Sequence, residues 1–109
     1  MSDRQFKLMP DYGCHPVWET TDGEYENIDP DSLPISPKLA TELTVWAARF
    51  DASLNQRDPV SSGFSSNSSA RGFDQDGRRL WTELCLELPD AEISYFSVLT
   101  QRLEGGGEG

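Results

Sequence analysis

The chain has 109 residues, and 36% of them are hydrophobic, including three tryptophans and five phenylalanines. This length and apolar content fit one domain with a modest core and leave no room for a second core. Nineteen acidic residues against nine basic ones give a formal net charge of -10 and a pI near 4.3. Because this charge repels phosphate backbones and anionic lipids, we expect neither nucleic acid nor a membrane surface as a ligand.

The chain shows no targeting or membrane-spanning signal. No basic segment followed by an apolar stretch opens it, and no run approaches the roughly 18 apolar residues that cross a bilayer. We therefore expect a cytoplasmic protein. Cys14 and Cys85 are compatible with one disulfide, but reduced thiols are more usual in that compartment, and we treat both as small packing residues.

Extended segments fill the start of the chain. In RQFKLMP, Phe6 and Leu8 fall on the side opposite Lys7, which predicts a strand that ends at Pro10. HPVWETT predicts a second strand. The Asp-Gly pair at 22–23 is a favoured two-residue hairpin turn, and it leads into EYENI, a short third strand.

Two helices follow a proline-rich connector, DPDSLPIS, which is predicted to be extended. Ser36 and Pro37 form a helix-start signal, because a serine hydroxyl caps free amides and proline suits the first helical position. The helices are predicted over about residues 37–54 and 69–87. Their apolar residues recur at steps of three and four: Leu39, Leu43, Trp46, Ala47, Phe50 and Leu54 in the first, and Phe73, Leu80, Trp81, Leu84 and Leu88 in the second.

The second helix also carries glycines and charged residues. Gly72 and Gly77 each weaken a helix by about 1 kcal/mol relative to alanine. We expect Arg78 and Arg79 to face solvent. Asp74 lies one turn before Arg78, and we expect a surface ion pair between them worth only tenths of a kcal/mol.

The remaining segments complete the predicted fold. The serine-rich stretch NQRDPVSSGFSSNSS predicts a surface loop, AEISYFSVL predicts a final strand, and EGGGEG predicts a flexible tail. The predicted fold class is α+β, with a small antiparallel sheet of three to four strands and two helices packed on one face. Residues 1–103 form the single domain and residues 104–109 the tail.

Catalytic and metal-binding patterns are incomplete. The single histidine, His15, follows Cys14, and neighbours in an extended segment point to opposite faces, so the two are poorly placed to act together. DGEYENIDPD lacks the glycine and flanking helices of a helix-loop-helix calcium site, although an irregular weak calcium site stays open. GRR at 77–79 lacks the glycine spacing of a phosphate-binding loop. We predict no catalytic residue, no metal and no cofactor.

An acidic segment with aromatic residues is the strongest functional signal. Between Leu8 and Pro37 there are seven acids and no lysine or arginine, which supplies -7 of the net charge of -10. Such a run serves solubility as a solvated loop, but aromatic residues within it are typical of protein interfaces. The predicted partner-binding residues are Trp18, Glu19, Asp22, Glu24, Tyr25, Glu26, Asp29 and Asp31. The partner expected for this surface is a basic protein.

Four blocks of the chain resemble a group of short acidic bacterial proteins of uncharacterised function. The blocks KLMPDYGCHPVWE, NIDPDSLPIS, LTVWAARFDASLN and DPVSSGF occur in the same order and cover roughly residues 6–88. Bacterial proteins of this size and charge are often immunity or antitoxin partners, and this analogy of class implies an inhibitor that masks a basic surface such as a toxin cleft.

Two other functions stay open at this point. One is a cytoplasmic regulatory or scaffold module that binds a basic protein or peptide through the same acidic surface. The other is a small enzyme whose site uses carboxylates and Tyr25. The absence of a complete catalytic motif favours a protein that is not an enzyme.

Overall fold

The computed structural model describes residues 4–11, 13–23, 25–52 and 67–105. The strands and helices in chain order are β1 (Gln5–Leu8), β2 (Val17–Glu19), β3 (Glu26–Ile28), α1 (Pro37–Ala52), α2 (Asn67–Glu87), β4 (Glu92–Ser97) and β5 (Arg102–Gly105). Short 3-10 turns lie at Thr21–Gly23 and Pro30–Ser32. The α+β class predicted from the sequence is confirmed.

The sheet has five strands in the order β3-β2-β1-β4-β5, one more than the largest number predicted. It is mixed and not wholly antiparallel, because β1 and β4 run parallel in its centre while the other neighbours are antiparallel. Both helices lie between β1 and β4 along the chain, and a helical crossover of this kind is what parallel neighbours need.

The strand that sequence reasoning missed is β5. Its sequence, RLEG, is short and has no apolar alternation, so nothing in it predicts a strand. The chain turns back after β4 through Gln101, a non-glycine residue at φ 59° whose amide donates to the Ser97 carbonyl at 2.7 Å. Glu104 and Gly105, assigned above to the flexible tail, pair with β4. Residues 106–109 lie outside the described residues.

The hairpin of β2 and β3 is wider than predicted. Pairing ends at Glu19 opposite Glu26, so six residues of sequence separate the paired ends instead of two. Asp22 and Gly23 nevertheless both adopt positive φ, 55° and 82°, the conformation that favours an Asp-Gly pair. The connector after β3 is also not fully extended, because Pro30–Ser32 forms a 3-10 turn.

The two helices begin and end close to their predicted limits. The Ser36 hydroxyl accepts a hydrogen bond from the Leu39 amide at 3.2 Å, so the predicted cap of α1 is confirmed. The last two residues predicted for α1, including Leu54, lie outside the described residues. Helix α2 starts at Asn67, two residues earlier than predicted, so residues 67–69 are helical and not part of the loop.

The core lies between the sheet and the helices. Trp46 is 1% exposed, its ring stacks on Phe73 at 4.5 Å between centroids, and its indole nitrogen donates to the Phe73 carbonyl at 2.9 Å. Trp46 also reaches Tyr95 in β4, with ring centroids 6.4 Å apart, so α1 contacts the sheet through this side chain. The buried hydrophobic cluster comprises Phe6, Leu8, Val17, Leu33, Leu39, Leu43, Trp46, Phe73, Leu80, Leu84, Ile93 and Tyr95.

The predicted ion pair between Asp74 and Arg78 is present, but its predicted place on the surface is wrong. Asp74 is only 4% exposed, and one carboxylate oxygen accepts hydrogen bonds from the Tyr95 hydroxyl at 2.8 Å and the Ser97 hydroxyl at 2.7 Å. The other oxygen accepts from Arg78 at 2.8 Å, and the same guanidinium binds both oxygens of Glu104. These five residues, named here the Asp74 network, join α2 to β4 and β5.

Two further expectations about single residues also need correction. Arg78 was expected to face solvent but is half-buried between Asp74 and Glu104, whereas Arg79 faces solvent as expected and forms ion pairs with Glu42 in α1 and Glu83 in α2. Both cysteines are free thiols; Cys14 is half-buried, whereas Cys85 is exposed on α2 and is not a packing residue. Its position falls between the buried Leu84 and the exposed Leu86, outside the apolar stripe.

Candidate functional site

The candidate site lies on the sheet face opposite the helices. Phe6, Leu8 and Tyr95 are buried on the helix side, so the residues that alternate with them point the other way. Lys7 is paired with Trp18 across β1 and β2 on this side. We call it the open face, because the buried apolar residues of both helices pack in the core with Phe6, Leu8 and Tyr95 on the other side.

Trp18 and Tyr25 form a stacked aromatic pair on the open face. Their ring centroids are 4.9 Å apart with 21° between the planes. The Trp18 indole nitrogen donates to the Met9 carbonyl at 3.0 Å, which fixes this half-buried ring. Tyr25 is 54% exposed. The pair, called the aromatic pair below, therefore presents a supported tyrosine ring to solvent.

Lys7 was missed by the sequence reasoning, and it contacts the aromatic pair. Its ammonium nitrogen lies 4.5 Å from the centroid of the Tyr25 ring, within the range of a cation–π interaction. The sequence count of seven acids and no basic residue covered only the stretch between Leu8 and Pro37, so it did not include Lys7. Alternation with Phe6 and Leu8 places Lys7 on the open face. Only the register of β1 and β2 places it beside Trp18.

Glu19 already has a counter-ion from its own chain. The Arg4 guanidinium donates to both of its carboxylate oxygens, at 3.1 and 3.0 Å, and the Thr21 hydroxyl donates at 2.8 Å. The hydrogen bond from Arg4 is the main reason that the pKa of Glu19 lies below its usual value. Arg4 therefore neutralises part of the negative charge that the composition of this segment indicates.

Asp29 also has a local structural role. Its carboxylate accepts a hydrogen bond from the Asp31 amide at 2.9 Å and caps the 3-10 turn that begins at Pro30. This contact holds the chain as it passes from β3 towards α1. Its backbone carbonyl accepts a second bond, from the Ser32 hydroxyl at 2.6 Å.

Besides Asp29, three of the predicted acids are exposed on the edge strand and on the 3-10 turns beside it. These are Asp22, Glu26 and Asp31, called the exposed acids below. The register pairs Glu26 with Glu19 and Glu19 with Phe6, so Glu26 points to the helix side of the sheet and not to the open face. No hydrogen bond or ion pair described for residues 4–52 uses the carboxylate of any of them. Glu24, another predicted site residue, lies outside the described residues.

Cys14 and His15 border a separate surface pocket of about 270 Å³, next to Asp51 of α1. Asp51 accepts a hydrogen bond from the Gly13 amide at 3.0 Å, and the Asn27 side chain binds the backbone of the exposed His15. Among the hydrogen bonds of the described residues, none joins the Cys14 thiol to the His15 imidazole. Within the same residues, no three histidine, cysteine, aspartate or glutamate side chains are grouped to hold a metal ion.

None of the helices in the ranges given above is long and apolar enough to cross a membrane.

Comparison with known proteins identifies the family. No curated protein matches the chain. A family model described as Serratia CdiI immunity protein-like matches residues 4–98, a stretch that includes every element from β1 to β4. This match supports the immunity-like resemblance drawn from the sequence blocks. Since it spans most of the 109 residues, the chain belongs to the Serratia CdiI immunity protein-like family.

Proposed function

We propose that this protein is an immunity protein that binds a toxin and masks a basic surface of it, such as a cleft. The family description supports the immunity role. The observation that carries the choice of surface is the aromatic pair on the open face, with the 54% exposed Tyr25 close in sequence to Asp22 and Glu26.

The exposed acids supply the electrostatic part of the proposal. Like charges placed together repel one another in the free protein, so their cost is offset when an opposite charge arrives. A basic partner is attracted over a distance of about a Debye length, which raises the association rate at low salt. The acids therefore set how fast the toxin docks and which toxin docks.

The aromatic pair supplies the anchor. Exposed tyrosines and tryptophans are the side chains that most often dominate the binding free energy of an interface. Trp18 is held by the Met9 carbonyl and supports the Tyr25 ring from one side, so little conformational freedom is lost on binding. Glu19, Glu24 and Asp29 complete the proposed partner-binding residues, as neighbours in the same segment.

Masking a cleft needs no catalysis, so we propose that the protein is not an enzyme. Binding alone excludes substrate from a toxin. A hydrolase screen in which turnover disappears in Cys14→Ala or His15→Ala would overturn this part of the proposal.

The test uses the toxin domain encoded by a neighbouring reading frame, purified with this protein as a complex. Glu26→Lys/Asp31→Lys should slow association at least about tenfold at low salt, and the difference should shrink at high salt. Asp22 stays unchanged because its φ of 55° disfavours most side chains, and Asp29 because it caps a turn. Asp90→Lys, the reversal of another exposed acid, is the matched control for each single reversal.

The outcomes separate the candidate functions. Equal association rates for Glu26→Lys and Asp90→Lys would place the interface elsewhere on the molecule. Binding without protection of cells that express the toxin would instead favour a regulatory module that binds a basic protein. Protection that depends on Glu26 and Asp31 supports the immunity role and its surface together.

A further inference from the structure

We infer that the Tyr25 ring is the docking site for an arginine side chain of the toxin, and that Lys7 occupies this ring in the free protein. The inference rests on the proposed function, since it names the group that the proposed surface binds. Under this inference, Lys7 competes with the partner arginine for the Tyr25 ring.

The first observation is that a cation already lies on this ring. The Lys7 ammonium is 4.5 Å from the Tyr25 centroid, although Lys7 lies in β1 and Tyr25 lies directly before β3, 18 positions later in the chain. Four arginines of the described residues form ion pairs with carboxylates, whereas the contact described for Lys7 is aromatic. The ring is therefore an attractive place for a positive charge in this part of the molecule.

The second observation is that the Tyr25 ring is accessible from solvent. Tyr25 keeps 54% of its surface exposed, and the Trp18 ring supports it at 4.9 Å. The net charge of -10 attracts a cationic partner to the protein as a whole, and the aromatic pair supplies the local contact.

Arginine fits this place better than lysine does. A guanidinium is planar and weakly hydrated, so it stacks on a ring and still donates hydrogen bonds in its own plane. An ammonium is strongly hydrated and loses less when it returns to water. Exchange of Lys7 for a partner arginine is favoured, because the long lysine stem lets the ammonium leave without a change in β1.

The test is a double-mutant cycle measured as the affinity for the purified toxin domain. Lys7→Gln should raise the affinity about 3- to 10-fold, because it empties the ring. Tyr25→Leu should lower the affinity by a similar factor. In the Tyr25→Leu background, Lys7→Gln should change the affinity by no more than the loss of its positive charge does. Lys38→Gln, which removes an exposed lysine from the first turn of α1, measures that charge effect, and we expect it to stay below about twofold.

Thermal unfolding of each variant shows that the fold is intact. A Lys7→Gln gain no larger than that of Lys38→Gln, a loss on Lys7→Gln, or a gain that persists in Tyr25→Leu would each overturn the inference. If Glu26→Lys/Asp31→Lys still slows association, the proposed function survives that failure. If neither set of variants changes binding, both proposals fail.

Discussion

The Tyr95 hydroxyl donates a 2.8 Å hydrogen bond to the Asp74 carboxylate, and both side chains are buried. The bond joins the middle of α2 to β4, where Ser97 donates to the same oxygen at 2.7 Å. A buried carboxylate without partners would cost several kcal/mol, so each donor is needed to keep it charged in the core. Arg78 supplies the positive charge and extends the contact to Glu104 of β5.

Asp74→Asn should destabilise the fold by about 2–3 kcal/mol, because an amide group cannot accept from all three donors and meets Arg78 with its own N–H. Asp76→Asn is the matched control on the same helix. Asp76 pairs with Arg49 at 2.6 Å, but their side chains are 46% and 43% exposed, so we expect a loss below about 1 kcal/mol. Urea unfolding followed by tryptophan fluorescence measures both. Equal losses would show that burial of the carboxylate contributes nothing.

The same network predicts how stability depends on pH. Burial by itself would raise the pKa of Asp74, but hydrogen bonds from Arg78, Ser97 and Tyr95 outweigh it, and the pKa lies below its usual value. A carboxyl with a lowered folded pKa stabilises the fold above its unfolded pKa, and this contribution is lost as the pH falls through the folded pKa.

The difference in unfolding free energy between the parent protein and Asp74→Asn should therefore be constant at neutral pH and shrink below about pH 4. Urea unfolding of the two proteins across this range measures the difference. A difference that grows as the pH falls would mean that the Asp74 carboxyl is not the charged, hydrogen-bonded group described here.

Trp46→Ala should destabilise the fold by about 3–5 kcal/mol, since the ring is 1% exposed and stacks on Phe73. The substitution also removes the hydrogen bond from the indole nitrogen to the Phe73 carbonyl. Val45→Ala is the control: this neighbour is 55% exposed, and we expect a change within about 0.5 kcal/mol. A loss below about 1 kcal/mol for Trp46→Ala, measured by denaturant unfolding, would contradict its place in the core.

Elements whose evidence is local were predictable from the sequence. The spacing of Leu39, Leu43 and Trp46 sets the buried side of α1, and the alternation of Phe6 with Lys7 sets the faces of β1. Both patterns depend on neighbours a few residues apart, because helix and strand periodicity are short.

Features that depend on distant pairing were not predictable. Asp74 is followed 21 and 23 residues later by the hydroxyls that bind it, so its surroundings exist only after β4 packs on α2. The candidate site shows the same limit: Trp18 and Tyr25 were named from the sequence, but Lys7 and the register that places it beside Trp18 were not. Eight residues of sequence separate β1 from β2, so no two-residue turn signal set their register in advance.

Gly77 is the clearest case of a local rule overruled by packing. Helix propensity alone predicts that alanine at Gly72 or Gly77 stabilises α2 by about 1 kcal/mol. A Cβ atom at Gly77, however, would lie 2.5 Å from both the Trp46 ring and the Tyr95 hydroxyl oxygen, whereas one at Gly72 would have no neighbour within 4 Å.

We therefore expect opposite signs for the two substitutions. Gly72→Ala should raise the unfolding free energy by about 0.5–1 kcal/mol, because it removes conformational freedom from the unfolded chain. Gly77→Ala should lower it by about 1–3 kcal/mol, because Trp46 and Tyr95 are buried on all sides and cannot both move away. Denaturant unfolding of both variants measures the signs, and stabilisation by Gly77→Ala would show that α2 does not approach Trp46 and Tyr95 this closely.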